Sequence, residues 1–229
     1  MRRMVALTGA GMSAESGIPT FRGSDGLWEN HRIEDVASPD GWNRDPLLVL
    51  DFYNIRRKQI REAQPNAGHK TLAVLQNFFD VQIITQNIDD LHERAGSKNV
   101  LHLHGEIVKS RSTDYPELIY DIDGWEIKWG DHCEKDSQLR PHIVWFGEEV
   151  PMIESAIEII RKTDILVVVG TSLQVYPAAG LVKYADLAKE KYIIDPNTPE
   201  LRDLRDFIAV KEGASSGLEK LMQSLVNNR

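Results

Sequence analysis

The chain has 229 residues, with 27 Lys plus Arg against 35 Asp plus Glu, and so a formal charge of −8. Its 41% hydrophobic and 27% charged residues are ordinary for a globular protein. The single cysteine, Cys133, excludes an internal disulfide framework and any structural zinc site built from three or four cysteines. The acidic balance argues against a general nucleic-acid binder, which needs a basic face.

The first apolar run, residues 4–7, is strand-sized and leads at once into Thr8 and glycines. It is too short for a signal-peptide core or a membrane span. Similar runs at 81–85, 100–104, 165–169 and 192–194, rich in Val, Ile and Leu, read as buried parallel strands. Helices are expected between them at 46–63, 67–78, 150–162, 177–189 and 218–226. The first of these has Asp45 as N-cap and Pro46 at its first position. This alternation predicts an α/β fold, a Rossmann-like doubly wound parallel sheet with helices on both faces. Residues 22–45 read as loop, and 110–140 as a polar, non-periodic excursion that forms a small inserted module. A cytoplasmic location is expected, with no membrane contact. The short ends lead us to expect no appended regulatory segment.

The first strand runs into Gly9-Ala10-Gly11-Met12-Ser13-Ala14, which fits G-x-G-x-x-A. Glycines there allow a tight turn and close approach of a pyrophosphate to a helix N-terminus. A ligand-free strand-to-helix turn would carry the same string. The acidic residue that dehydrogenases place after the second strand is not evident, so an ordinary dehydrogenase fits poorly.

The longer string from Gly9 to Arg22 resembles the signature of the sirtuins, the NAD-dependent protein deacylases. The resemblance continues at Thr85-Gln-Asn-Ile-Asp-Asp-Leu-His92, Leu103-His-Gly105, Pro141-His-Ile-Val-Trp-Phe-Gly-Glu148 and Gly170-Thr-Ser-Leu-Gln-Val-Tyr-Pro-Ala-Ala179. It implies one catalytic unit over 1–229. A large Rossmann-like domain would take 1–22, 64–109 and 141–229, with helical and cofactor-loop insertions and the small module at 23–63 and 110–140. It implies NAD as co-substrate and a reaction in which the acyl oxygen of an acylated lysine displaces nicotinamide. The acyl group then leaves on ADP-ribose.

By this resemblance His104 is the general base, a natural choice near neutral pH. Asn87 and Asp89 line the nicotinamide pocket and join it as catalytic residues. Gln86 holds the ribose, with Ile88 in the same turn. Gly9, Ala10, Gly11, Ser13 and Ala14 form the cofactor loop, Phe21 shields the reacting ribose and Arg22 meets phosphate. Gly170, Thr171 and Ser172 suit phosphate or ribose, Asp195 the adenosine ribose, and Ala214 the adenine. Residues 143–147 have strand character and are expected to pair with the substrate as an added β-strand, with Val144, Phe146 and Val175 along the acyl-lysine tunnel. His31, His69, His92, His102, His132 and His142 are expected to be structural.

Tyr53 and Arg56 are three apart on the expected helix 46–63 and share its face with Arg57 and Ile60. An isolated Tyr-x-x-Arg is a solvated basic helix end. In this context it resembles the class III sirtuins, where such a pair binds the distal carboxylate of succinyl, malonyl and glutaryl groups. Guanidinium binds carboxylate bidentately. Ala14 matches the small residue that widens that pocket.

Most sirtuins hold a structural zinc with two cysteine pairs. Here Ser112 and Tyr115 stand where the first pair is expected, and the second region offers Cys133 beside His132. We expect no zinc, and a module packed on Tyr115, Ile119, Tyr120, Trp125, Ile127 and Trp129. The expected protein is a monomer acting on acylated lysine, with desuccinylation and demalonylation alongside deacetylation. The alternatives are mainly deacetylation, ADP-ribosyl transfer, or a catalytically silent NAD-binding interaction module.

Overall fold

The computed structural model describes residues 1–20, 27–28, 31–197 and 206–227. The chain runs β1 (Arg3–Thr8), α1 (Gly11–Ala14), β2 (Leu27–Trp28), β3 (His31–Arg32), α2 (Ile33–Val36), α3 (Pro39–Arg44), α4 (Pro46–Glu62) and α5 (Ala67–Leu75). It continues through β4 (Asp80–Thr85), α6 (Leu91–Arg94), β5 (Val100–His102), β6 (Gly105–Ser112), β7 (Ile119–Asp121) and β8 (Leu139–Ile143). Then follow α7 (Ile153–Ile160), β9 (Ile165–Val169), a 3₁₀ helix (Ala178–Tyr184), β10 (Glu190–Ile194), β11 (Ile208–Val210) and α8 (Ala214–Asn227).

Six strands form a parallel sheet in the order β11-β10-β9-β1-β4-β5. Its centre is apolar on both faces, as parallel strands covered by helices must be. Alternate residues divide between two cores. Val5, Leu7, Leu166 and Val168 pack towards α7 and the 3₁₀ helix. Met4, Ala6, Val167 and Val169 pack towards α5 and α8. The register sets Thr8 opposite both Thr85 and Val169, and Val169 opposite Ile194. The loops leaving β1, β4, β9 and β10 therefore emerge at one edge, where doubly wound sheets bind ligands.

The expected strands and helices of this sheet form with shifted ends. Asp45 caps α4 by accepting from Leu48 N at 3.0 Å. The expected helix at 177–189 is only a seven-residue 3₁₀ helix. Strand β5 stops at His102, because the chain turns into β6 through Gly105 at φ +82°. There a Cβ would sit 2.1 Å from His142 O. The stretch read as loop holds α3, capped by Ser38, whose hydroxyl accepts from Gly41 N at 2.9 Å. None of the described helices is long and apolar enough to cross a membrane.

Residues 105–143 contain a three-stranded antiparallel sheet, β7-β6-β8. Its expected core needs correction. Tyr115, Ile119, Trp125 and Trp129 are exposed, Tyr120 is half-buried, and only Ile127 is buried. A short single-layer sheet has too little area to cover so many rings, and polar pins from α4 hold it instead. Asn54 donates to Ile127 O and accepts from Ile127 N, both at 2.9 Å. Arg57, fully buried rather than solvated, donates to Ile107 O at 2.5 Å, Asn54 Oδ1 at 2.7 Å and Trp125 O at 2.8 Å. Where the resembled family places its cysteine pairs, Cys133 Sγ donates to Ser112 Oγ at 3.5 Å, and Ser112 Oγ accepts from Tyr115 N at 3.2 Å. The Asp136 carboxylate is bound to His132 Nδ1 at 2.9 Å. Among the described residues no three His, Cys, Asp or Glu side chains converge on one point. One thiol beside a serine hydroxyl does not fit tetrahedral zinc.

Candidate active site

A cavity of about 630 Å³ opens at the sheet edge where β1, β4, β9 and β10 end. Gly9, Ala10, Gly11 and Ala14 line it from the β1 turn, Gln86, Asn87 and Ile88 from the β4 turn, and His104 from beyond β5. Gly170, Thr171 and Ser172 line it after β9, and Asp195 and Ala214 lie at its β10 and α8 end. Val144, Phe146, Val175 and Tyr53 complete the wall. Phe21 and Arg22 lie outside the described residues.

The glycines are required by chain packing. Gly11 N donates to Gly170 O at 2.8 Å, and a Cβ on Gly170, at φ +59°, would sit 2.3 Å from Met12 N. The β1 turn and the β9 turn are thereby pressed together. Helix α1 is a single turn whose first N–H groups already bond to Gly9 O and Ala10 O, at 2.9 and 3.1 Å. It lacks the long dipole that a dinucleotide-binding helix would supply.

The β4 turn is held rigidly. Asn87 N–H donates to Thr85 Oγ1 at 3.0 Å, and Asn87 Nδ2 donates to Ser13 Oγ at 3.0 Å. That second bond sets the amide's orientation. Gln86 Nε2 donates to Thr171 Oγ1 at 3.1 Å, bridging the β4 and β9 turns. His104 Nδ1 lies 3.0 Å from Gln86 O. A carbonyl can only accept, so Nδ1 carries the proton and Nε2 keeps its lone pair. Burial holds the His104 pKa below the usual histidine value, against the opposing pull of the Gln86 bond.

Three expected site residues, Ser13, Asp89 and Arg56, are not on the cavity wall, and Ser13 is buried beneath the β1 turn. Asp89 does not line the cavity: it is buried one layer behind, accepting from Ser13 Oγ at 2.9 Å and Leu91 N at 3.2 Å. Burial raises its pKa, and those two bonds oppose the rise. Arg56 is not on the cavity wall either. It is buried, with its guanidinium carbon 4.4 Å from the centroid of Trp28, and the Trp28 side chain lines the cavity. The segment after β8 is a turn rather than a strand. Gly147 takes φ +92°, Glu148 N returns to Trp145 O at 3.0 Å, and the Glu148 carboxylate pairs with Arg140 and Arg111.

Glu15 and Trp28 also line the cavity and were given no role by the sequence, and Trp145 joins them through its side chain, where the sequence gave a role to its backbone segment alone. Glu15 accepts from Ser215 N at 3.0 Å, at the start of α8. Trp145 Nε1 donates to the Tyr53 hydroxyl at 3.1 Å. Tyr53 is fully buried, which raises its pKa strongly and keeps the phenol neutral. The signal for Trp145 was its position next to two cavity residues, Val144 and Phe146.

The sheet edge, the glycine-packed turns and the histidine beside a polar turn define an α/β nucleotide-binding enzyme fold. Residues 9–177 match the Sir2 family, and the chain belongs to it. It is 51% identical, over 99% of both chains, to an NAD-dependent protein deacylase of Bacteroides thetaiotaomicron. A Sir2 homolog–NAD complex superposes with a TM-score of 0.89 at 38% identity, covering 99% of this chain and 90% of that one. A Sir2 bound to acetylated peptide gives 0.82 at 29% identity, over 98% and 94%.

Proposed function

We propose that this protein is an NAD-dependent protein-lysine deacylase that removes succinyl and malonyl groups as well as acetyl. The products would be nicotinamide, O-acyl-ADP-ribose and free lysine. The relatives' activity, a solved neighbour that binds NAD and another that binds acetylated peptide support the reaction class. NAD, when bound, supplies the ribose carbon that loses nicotinamide and the 2′-hydroxyl that takes up the acyl group.

In this reading Asn87 offers its side-chain oxygen to the nicotinamide carboxamide. Its nitrogen is committed to Ser13, and among the described residues no hydrogen bond engages that oxygen. Asp89 acts on nicotinamide through Ser13 and the turn. Gln86 and Thr171 hold ribose, while the β1 and β9 turns hold the phosphates; Phe21 is assigned to shield the ribose and Arg22 to meet phosphate. His104 Nε2 takes the proton of the ribose hydroxyl. Asp195 and Ala214 bound the adenosine end, and Val144, Phe146 and Val175 the lysine stem. We place the zinc-free small module at 110–140 and read the protein as a monomer.

The observation that carries the acyl preference is Tyr53. Its hydroxyl accepts from Trp145 at the cavity wall, leaving its own hydrogen to donate to an acyl carboxylate. Arg56, one turn on, supplies the charge in a protein of net −8. It must leave the Trp28 face to reach a ligand. That same stacking favours a second reading, mainly deacetylation. Nicotinamide release from NAD with succinyl-, malonyl- and acetyl-lysine versions of one peptide decides between them. A succinyl rate at least equal to the acetyl rate supports the first, and acetyl turnover alone the second.

A further inference from the structure

Two histidines, two residues apart, hold two consecutive carbonyls of the β4 turn. His104 Nδ1 is 3.0 Å from Gln86 O, and His102 Nδ1 is 3.1 Å from Asn87 O. Their outer nitrogens meet different surroundings. His104 lines the cavity, whereas His102 Nε2 lies 2.8 Å from Glu93 Oε1 on α6. An imidazole between a carbonyl and a carboxylate donates to both and is therefore an imidazolium. Burial opposes the charge on His102, but the Glu93 bond and charge outweigh it and raise its pKa.

We propose that His102 and Glu93 are positioning residues for NAD. The His102 imidazolium, held by Glu93, clamps the Asn87 carbonyl and keeps the β4 turn in the shape that receives nicotinamide. This rests on the reading that Asn87 meets the nicotinamide. With His102 in place, Asn87 is fixed at its N–H, its side-chain nitrogen and its carbonyl. Among the described residues only the side-chain oxygen is left for a ligand.

The pair has a distinctive pH behaviour. When His102 loses a proton, the one that remains goes to the stronger acceptor, the Glu93 carboxylate. The Nδ1 lone pair then faces the Asn87 carbonyl, and the clamp turns repulsive. The other groups around His102 are Glu106, itself paired with Lys109 at 2.9 Å, and the buried Asp89 and His92. Glu106 adds to the pull of Glu93, and His92 is held neutral mainly by burial. In Glu93→Gln the amide can donate to Nε2, so a neutral ring keeps its proton on Nδ1 and the clamp survives without charge.

The test is the KM for NAD against pH, with an acetyl-lysine peptide as co-substrate and thermal melting as the control for folding. Wild type is expected to lose NAD affinity on the alkaline side, and Glu93→Gln to flatten that rise. His102→Ala should raise the KM for NAD roughly tenfold near neutral pH while leaving the peptide KM unchanged. His102→Gln, which keeps one donor, should recover most of that loss. Asn87→Ala separates the two layers of the argument. If Asn87→Ala leaves NAD use intact, the nicotinamide reading fails and the clamp with it. If Asn87→Ala is impaired while His102→Ala has a normal KM for NAD, the clamp alone is wrong. An alkaline rise that is absent from wild type, or unchanged in Glu93→Gln, also overturns it.

Discussion

The Arg56 guanidinium carbon lies 4.4 Å from the centre of the Trp28 ring and 5.6 Å from that of Phe52, so a buried cation is stored on aromatic faces beside the cavity. Such contacts are worth about 0.5–2 kcal/mol, less than a charge-assisted hydrogen bond to a carboxylate at about 1.5–3 kcal/mol. In the reading proposed above, an acyl carboxylate draws Arg56 off Trp28 by adding a bidentate, charge-assisted contact that an acetyl group does not offer. Arg56→Met is expected to lower kcat/KM for succinyl-lysine peptide about 10- to 100-fold and to spare or raise deacetylation. Equal loss on both peptides would remove Arg56 from acyl recognition.

Tyr53 and Trp145 form a buried donor–acceptor pair. Tyr53→Phe removes the acceptor and strands the indole N–H, which costs about 1–3 kcal/mol. The double substitution Tyr53→Phe with Trp145→Phe removes both polar atoms and should regain part of that stability. Urea unfolding of the two single variants and the double variant measures the coupling. Succinyl-lysine turnover should stay low in every variant lacking the Tyr53 hydroxyl, whatever its stability.

Legibility in the sequence followed how completely each segment's surroundings repeat along the chain. Residues 165–169 are apolar without a break because helices cover both faces of β9, and their bounds match the expected run. Helix α4 announces itself through Asp45 and Pro46. Ser38 and Pro39 carry the same signal for α3, but Gly41 reads as a breaker. It is there because a Cβ would sit 2.4 Å from Asp35 O. Strand β6 contains Lys109-Ser110-Arg111-Ser112, whose polarity hides a sheet pinned by hydrogen bonds rather than by apolar area. In the site, Gln86, Asn87 and His104 were singled out by the resemblance, and all three line the cavity, His104 from the bend beyond β5 rather than from a strand end. The retreat of Asp89 behind Ser13, and of Arg56 behind Trp28, depends on neighbours distant in sequence.

The small module should depend on Asn54 and Arg57 rather than on metal. Asn54→Ala removes two hydrogen bonds to Ile127 and an acceptor for Arg57, and leaves a buried cation short of a partner. Its expected cost is about 2–4 kcal/mol. A strong zinc chelator should leave the melting temperature and the deacylation rate of the wild-type protein unchanged, and elemental analysis should find no stoichiometric zinc. One zinc per chain, or collapse on chelation, would reassign the role of Cys133.

His104 offers the sharpest kinetic signature. Its Nδ1 bond to Gln86 O leaves Nε2 as the base, and burial lowers its pKa below the usual histidine value. A base works only when unprotonated, so a depressed pKa extends activity to lower pH. The acid limb of kcat/KM is therefore expected to fall off below pH 6.5 rather than at it. His104→Ala should lose about 10²- to 10⁴-fold in kcat with little change in melting temperature, since among the described residues its side chain makes a single hydrogen bond, at the edge of the turn. His102 carries the opposite shift, upward from the same starting value. The acid limb should therefore persist in His102→Gln and vanish only with His104. If His102→Gln removed the acid limb while His104→Ala kept it, the two histidines would have to exchange roles.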